Sequence, residues 1–206
     1  MYIEIVAPEA ASGPVRDLYD ADLAELGYIA TDTLLFSLRP TVYRAWHELV
    51  KSIRRTMRLR EYELVTLAAA RALGCRACVS AHGAVLLRNG MIDRPQLEAL
   101  VRDVRGAGLP PVEVAMLELA EKVAVDAHRV EREDIERLQA FGLEDAQILD
   151  VVLAAAARAF YSKTLEALRV PPSPQLAETN DLLDQVARSD PTAPGPTAAG
   201  TRAAAC

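Results

Sequence analysis

Aromatic side chains make up only 5% of the 206 residues, and the chain holds one tryptophan, three histidines and three cysteines. Few rings beside abundant alanine and leucine favour helix over strand. Positive charge is also short: 23 Lys and Arg face 29 Asp and Glu, a formal net charge of -6. A nucleic-acid partner is therefore not expected, since phosphate binding needs a concentrated basic patch. The one basic cluster, Arg54 to Arg60, reads as the end of one helix and the start of the next. No apolar stretch can span a bilayer; the most apolar, Val151 to Ala157, is far too short. Met1 to Pro8 carries Glu4 instead of a basic leader region, so a cytoplasmic location is the expectation.

Apolar residues recur at helical spacing almost throughout, with a period-2 run only at Tyr2 to Val6. Helices are predicted over Pro14–Gly27, Pro40–Arg55 (with Trp46 and Leu49 on one side), Arg60–Leu73, Cys75–Arg88 and a segment opened by Asp93-Arg94-Pro95. Further helices are predicted over Val112–Asp126, Glu131–Phe141, Glu144–Ala167 and Gln175–Arg188. The third, apolar almost all round from Leu64 to Leu73, should be a buried central helix. Residues 1–188 are expected to form one helical domain. Ser189 to Cys206, rich in Pro, Ala and Gly, should be a disordered tail, with Cys206 incidental. A faint repeat aligns Leu59–Ala72 with Leu143–Ala156 at an offset of 84. Two similar helical halves or a chance likeness of alanine-rich helices would both explain it. At that offset Cys75, Cys78 and His82 meet Ala159, Ser162 and Glu166, so a real repeat would carry chemistry in its first copy only.

The chemistry concentrates in Cys75-Arg-Ala-Cys78 and His82, which share one stripe of a helix. In a cytoplasmic protein such a pair points to a metal or redox site, not a structural staple. For a metal, Glu63 or His128 could complete three ligands, but no second ligand pair at knuckle spacing exists. The redox reading accounts for more. A thiol near a helix N-terminus beside an imidazole becomes acidic, and two thiols supply an attacking and a resolving sulfur. His82, one turn beyond Cys78, is the natural acceptor of that thiol's proton. Glu63 could support His82 from the preceding helix, although periodicity alone favours a place at the solvent edge of the first turn. His47 and His128 read as surface residues, and Trp46 as core or interface packing.

Glu63, eleven residues, then Cys75-x-x-Cys78-x-x-x-His82 resembles the signature of the alkylhydroperoxidase D-like branch of the carboxymuconolactone decarboxylase family. The surrounding Glu63-Leu-Val-Thr-Leu-Ala-Ala-Ala-Arg-Ala-Leu-Gly-Cys-Arg-Ala-Cys-Val-Ser-Ala-His-Gly does so too. Leu119-Ala-Glu-Lys-Val to Gly142-Leu143 resembles the larger, peroxidase-related members, and the likeness covers approximately residues 40–170. It implies an all-α helical bundle, usually a homo-oligomer, with a thiol peroxidase activity that uses no cofactor, metal or haem. By the same resemblance Cys78 attacks the hydroperoxide, Cys75 resolves, and His82 and Glu63 relay protons. A thiol or dithiol reductant protein is then the implied partner. The helix dipole taken alone would make Cys75 the acidic thiol. Where alkylhydroperoxidase D proper has an additional histidine, immediately before the second cysteine, this chain has Ala77. The decarboxylase branch lacks the cysteine pair, so lactone decarboxylation is not expected. A dithiol relay with little peroxidase activity is the alternative function.

Overall fold

The computed structural model describes residues 1–189. Ten α-helices follow in order: α1 Gly13–Glu25, α2 Thr31–Phe36, α3 Pro40–Arg54, α4 Leu59–Ala72, α5 Arg76–Arg88, α6 Arg94–Arg102, α7 Pro111–Val125, α8 Arg132–Ala140, α9 Asp145–Ala167 and α10 Ala177–Ser189. The described residues contain no strand. The alternating run at Tyr2 to Val6 joins no sheet; the Tyr2 N–H donates to the Leu168 carbonyl at 2.9 Å. Residues 190–206, which include most of the expected tail and Cys206, lie outside the described residues.

Helix α4 is the axis of the bundle. Every residue from Tyr62 to Ala70 is buried, and α5, α7 and α9 pack around it. Three alanines in a row, Ala68 to Ala70, let the neighbouring helices approach closely, and the apolar area removed from water drives the packing. The charged ends of α4 are tied to α7. The Arg60 guanidinium binds both Glu113 carboxylate oxygens at 2.7 and 2.9 Å, and Arg71 binds Glu121. Helix α3 packs on α9, while α10 covers α5 and α6. The last contact is partly polar: the buried Ser80 hydroxyl meets Thr179 at 3.0 Å and donates to Asn180 at 2.6 Å.

Three expectations change. Helix α2 is too short to show a periodic signal, and long-range bonds hold it instead. The Ala30 N–H donates to Asp22 at 2.9 Å and the Thr31 N–H to Ser173 at 3.2 Å. On α3 the buried stripe is Tyr43, Trp46 and Ile53, whereas Leu49 is half exposed. The repeat does not extend to two helix pairs. Helix α4 stops at Gly74 before α5 begins, but α9 runs unbroken through Arg158, the position aligned with Gly74.

The α4–α5 corner places the site. Gly74 adopts φ +70°, a left-handed conformation. Its N–H bonds the Arg71 carbonyl, and the Cys75 N–H bonds the Ala70 carbonyl, both at 2.9 Å. These paired bonds form a Schellman closure, which favours glycine because a Cβ is strained there. Cys75 follows in extended conformation (φ -80°, ψ 91°) as the N-cap of α5, so the helix opens at Arg76 and not at Cys75. Gly74→Ala should destabilise the protein by about 1–2 kcal/mol, the left-handed cost for an L-residue. Chemical denaturation of the reduced protein should show a lower midpoint with an unchanged slope.

Candidate active site

Helices α4, α5 and α9 bring the predicted residues together and add others. Cys78 falls in the first turn of α5, one turn after Cys75; both are free thiols and buried, at 3% and 0% exposure. Glu63 lies on the inner face of α4 at 4% exposure. It is not at the solvent edge: the buried run of α4 already begins at Tyr62, although Leu59 in the same first turn is exposed. Its Oε2 sits 2.6 Å from His82 Nδ1, and the Thr66 hydroxyl reaches the same nitrogen at 3.2 Å. Burial pushes the Glu63 carboxyl up, but the charge and hydrogen bond of His82, aided by Arg54 and Arg158, bring it below the ordinary range. The carboxylate therefore orients the ring through Nδ1.

Among the described residues no hydrogen bond joins His82 to Cys78. The ring and the sulfur instead share the wall of one cavity of about 240 Å³. A molecule held in that cavity can carry a proton between them. The bond to Glu63 fixes the ring on the cavity wall. Among the described residues, Glu63, His82 and the two cysteines also fail to converge as metal ligands.

The residue that sequence reasoning missed is Arg158. It comes from α9, is only 5% exposed, and its Nη1 donates to Cys78 Sγ at 3.6 Å. The guanidinium lies over the rings of Trp46 and Tyr161, 5.5 and 5.4 Å from their centroids. Those two rings stack at 3.9 Å, and the Tyr161 hydroxyl donates to Asp32 at 2.6 Å. A lone charge between Ala157 and Ala159 in an apolar helix was the available signal. Buried charges of this kind are retained only where something pairs with them.

These surroundings divide the two thiols. Cys78 is pulled down to about 6, first by the hydrogen bond from Cys75 and then, against burial, by Arg158, Ser162 and His82. Cys75 is pushed well up by donating that hydrogen bond and by burial. Specific partners thus override the simple dipole argument, which had favoured Cys75. Ser162, buried on α9 and aligned with Cys78 in the faint repeat, has no other partner for its hydroxyl. The second copy therefore does contribute to the site.

Residues 40–122 match the model of the carboxymuconolactone decarboxylase family. Over that stretch the chain is similar to this family. Solved structures agree on the fold. An alkylhydroperoxidase AhpD core from Ralstonia eutropha, described as an uncharacterized peroxidase-related protein, superposes with a TM-score of 0.76 at 22% identity, covering 85% of this chain and 93% of that one. A peroxidase-related protein from Silicibacter sp. gives 0.72 at 19%, over 84% and 94% of the two chains. The debrominase Bmp8 in complex with 2,3,4-tribromopyrrole gives 0.73 at 14%, over 89% and 97%. Among curated proteins no relative matches. In this AhpD-like frame the Cys78 thiolate is the group whose titration reports the site. Iodoacetamide labelling of Cys78 should rise with pH through about 6, where an ordinary thiol rises near 8.5. A midpoint close to that ordinary value would refute the assigned surroundings.

Proposed function

We propose that the protein is a thiol-dependent peroxidase in which Cys78 attacks a hydroperoxide and Cys75 resolves. The observation that carries this reading is an acidic Cys78 sulfur, held by Arg158 at 3.6 Å, on the wall of a cavity it shares with His82. The match of residues 40–122 to the family model and the likeness to peroxidase-related proteins support it. The rest of the cavity wall includes Leu26, Trp46, Val85, Leu165 and Leu176, which suits an apolar organic hydroperoxide.

The chemistry balances with the groups present and an external reductant. The Cys78 thiolate attacks the distal oxygen of the hydroperoxide, the O–O bond breaks, and a sulfenic acid forms at Cys78. The leaving alkoxide takes a proton from the cavity side, where His82, oriented by Glu63, is the donor within reach of a bound molecule. The Cys75 sulfur then attacks Cys78. The S–S bond forms, and the sulfenic oxygen leaves as water with the Cys75 proton. A dithiol reductant returns the pair to thiols and is itself oxidised to a disulfide. The cavity that Cys78 shares with His82 favours this reading over a dithiol relay that meets little peroxide. Self-association into a homo-oligomer remains part of this proposal.

Hydroperoxide consumption by point variants tests it. Cys78→Ser should fall to the level of a protein-free control. Cys75→Ser should consume one equivalent, stop, and hold a sulfenic acid that dimedone traps at Cys78. His82→Gln should turn over on the order of 10²-fold more slowly while its thiolate still forms. Full activity in Cys78→Ser, or sulfenic acid found first at Cys75, refutes the assignment.

A further inference from the structure

Arg158 is a buried cation that the peroxidase steps do not themselves consume. Among the described residues no carboxylate pairs with it, although Asp32 stands close by, engaged with the Tyr161 hydroxyl. Among the described residues its Nη1 bonds Cys78 Sγ and its Nε has no partner, while the Tyr62 hydroxyl and two ring faces provide the rest of its near surroundings. The other residues that could charge or polarise the sulfur are Cys75, Ser162 and His82, and Ala77 before it supplies nothing. Arg158 keeps its charge at any working pH, because a guanidinium does not deprotonate in proteins.

We infer that Arg158 sets the redox poise of the Cys75–Cys78 pair, stabilising the dithiol form and making the disulfide readily reducible. The inference rests on the dithiol part of the proposed function. When the pair oxidises, the Cys75 thiol and the Cys78 thiolate together lose one proton and two electrons, and an S–S bond forms. The sulfur that faced the guanidinium then carries no charge. Arg158 is left buried with the Tyr62 hydroxyl and the Trp46 and Tyr161 faces, neutral groups that substitute weakly for an anion. The loss of that pairing falls entirely on the oxidised side, so it raises the reduction potential, as any interaction confined to the reduced form does. The same contact that makes Cys78 a good nucleophile thereby prevents the enzyme from resting as a stable disulfide. A pair whose disulfide reduces easily returns to service with a weak reductant, which suits a site this enclosed.

The test is an equilibrium titration of the full-length protein against reduced and oxidised dithiothreitol without oxygen, with disulfide content read by alkylation and mass spectrometry. Arg158→Gln should shift the equilibrium toward the disulfide by at least about tenfold, which for a two-electron couple is roughly 30 mV more negative. Arg158→Lys, which keeps the charge, should shift by less than half as much on that scale. Arg158→Met, apolar against the two rings, is the second neutral variant if the glutamine variant does not fold. An unchanged midpoint in the neutral variants overturns the inference. So does a lysine variant displaced as far as the neutral ones, which would make the role one of packing alone. No peroxide enters this measurement. A shifted midpoint in a protein inert to hydroperoxide would refute the peroxidase reading and leave the poise standing. Normal turnover with an unshifted midpoint would refute the poise alone. A wild-type pair that never forms the disulfide would sink both.

Discussion

Among the described residues, charge enters the core of this bundle where a second group answers it. The Cys78 sulfur and the Arg158 guanidinium meet across the α5–α9 contact, and Glu63 and His82 meet across the α4–α5 contact. A buried ion left alone is costly, so each partner fixes where the other can be. Much of the architecture serves that requirement. Alanine-rich α4 and α9 come close enough for side chains on different helices to touch. The left-handed turn at Gly74 then delivers Cys75 and Cys78 to the same place.

The two pairs have different duties. Glu63 is held ionised by His82 and is not part of the cavity wall, so its role is to orient the ring. Arg158 touches the sulfur and lowers the cost of its negative charge. Between them lies the cavity, with apolar walls and a stacked Trp46–Tyr161 pair under the guanidinium. A hydroperoxide placed there has a nucleophile on one side and a proton donor on another.

Much of this was legible in the chain itself. The helices α3 to α9 are long, periodic and punctuated by Gly74, Gly90 and Pro111, and the structure places them within a residue or two of expectation. Glu63, Cys75, Cys78 and His82 were visible because they sit on two consecutive helices, where spacing translates directly into a shared face. Arg158 was not, since its contact with Cys78 spans 80 positions and no local period encodes it. The burial of Glu63 was missed for a related reason: a helical wheel shows which residues share a face, but not which other helices cover it. Helix α2 has only six residues, and its support comes from side chains outside it, Asp22 nearby and Ser173 far along the chain. The faint repeat was a fair observation about two core helices, yet its second copy turned out to furnish the cation and a hydroxyl for the first.

The central claim is that Cys75 and Cys78 act as one redox unit on a peroxide. Intact-mass and peptide analysis after a single equivalent of an organic hydroperoxide addresses it most directly. The account predicts that the reduced protein becomes lighter by two hydrogens within the time of peroxide loss, with one new link between Cys75 and Cys78. A protein that consumes the peroxide while both thiols remain open to alkylation, or that leaves the peroxide untouched, would contradict it.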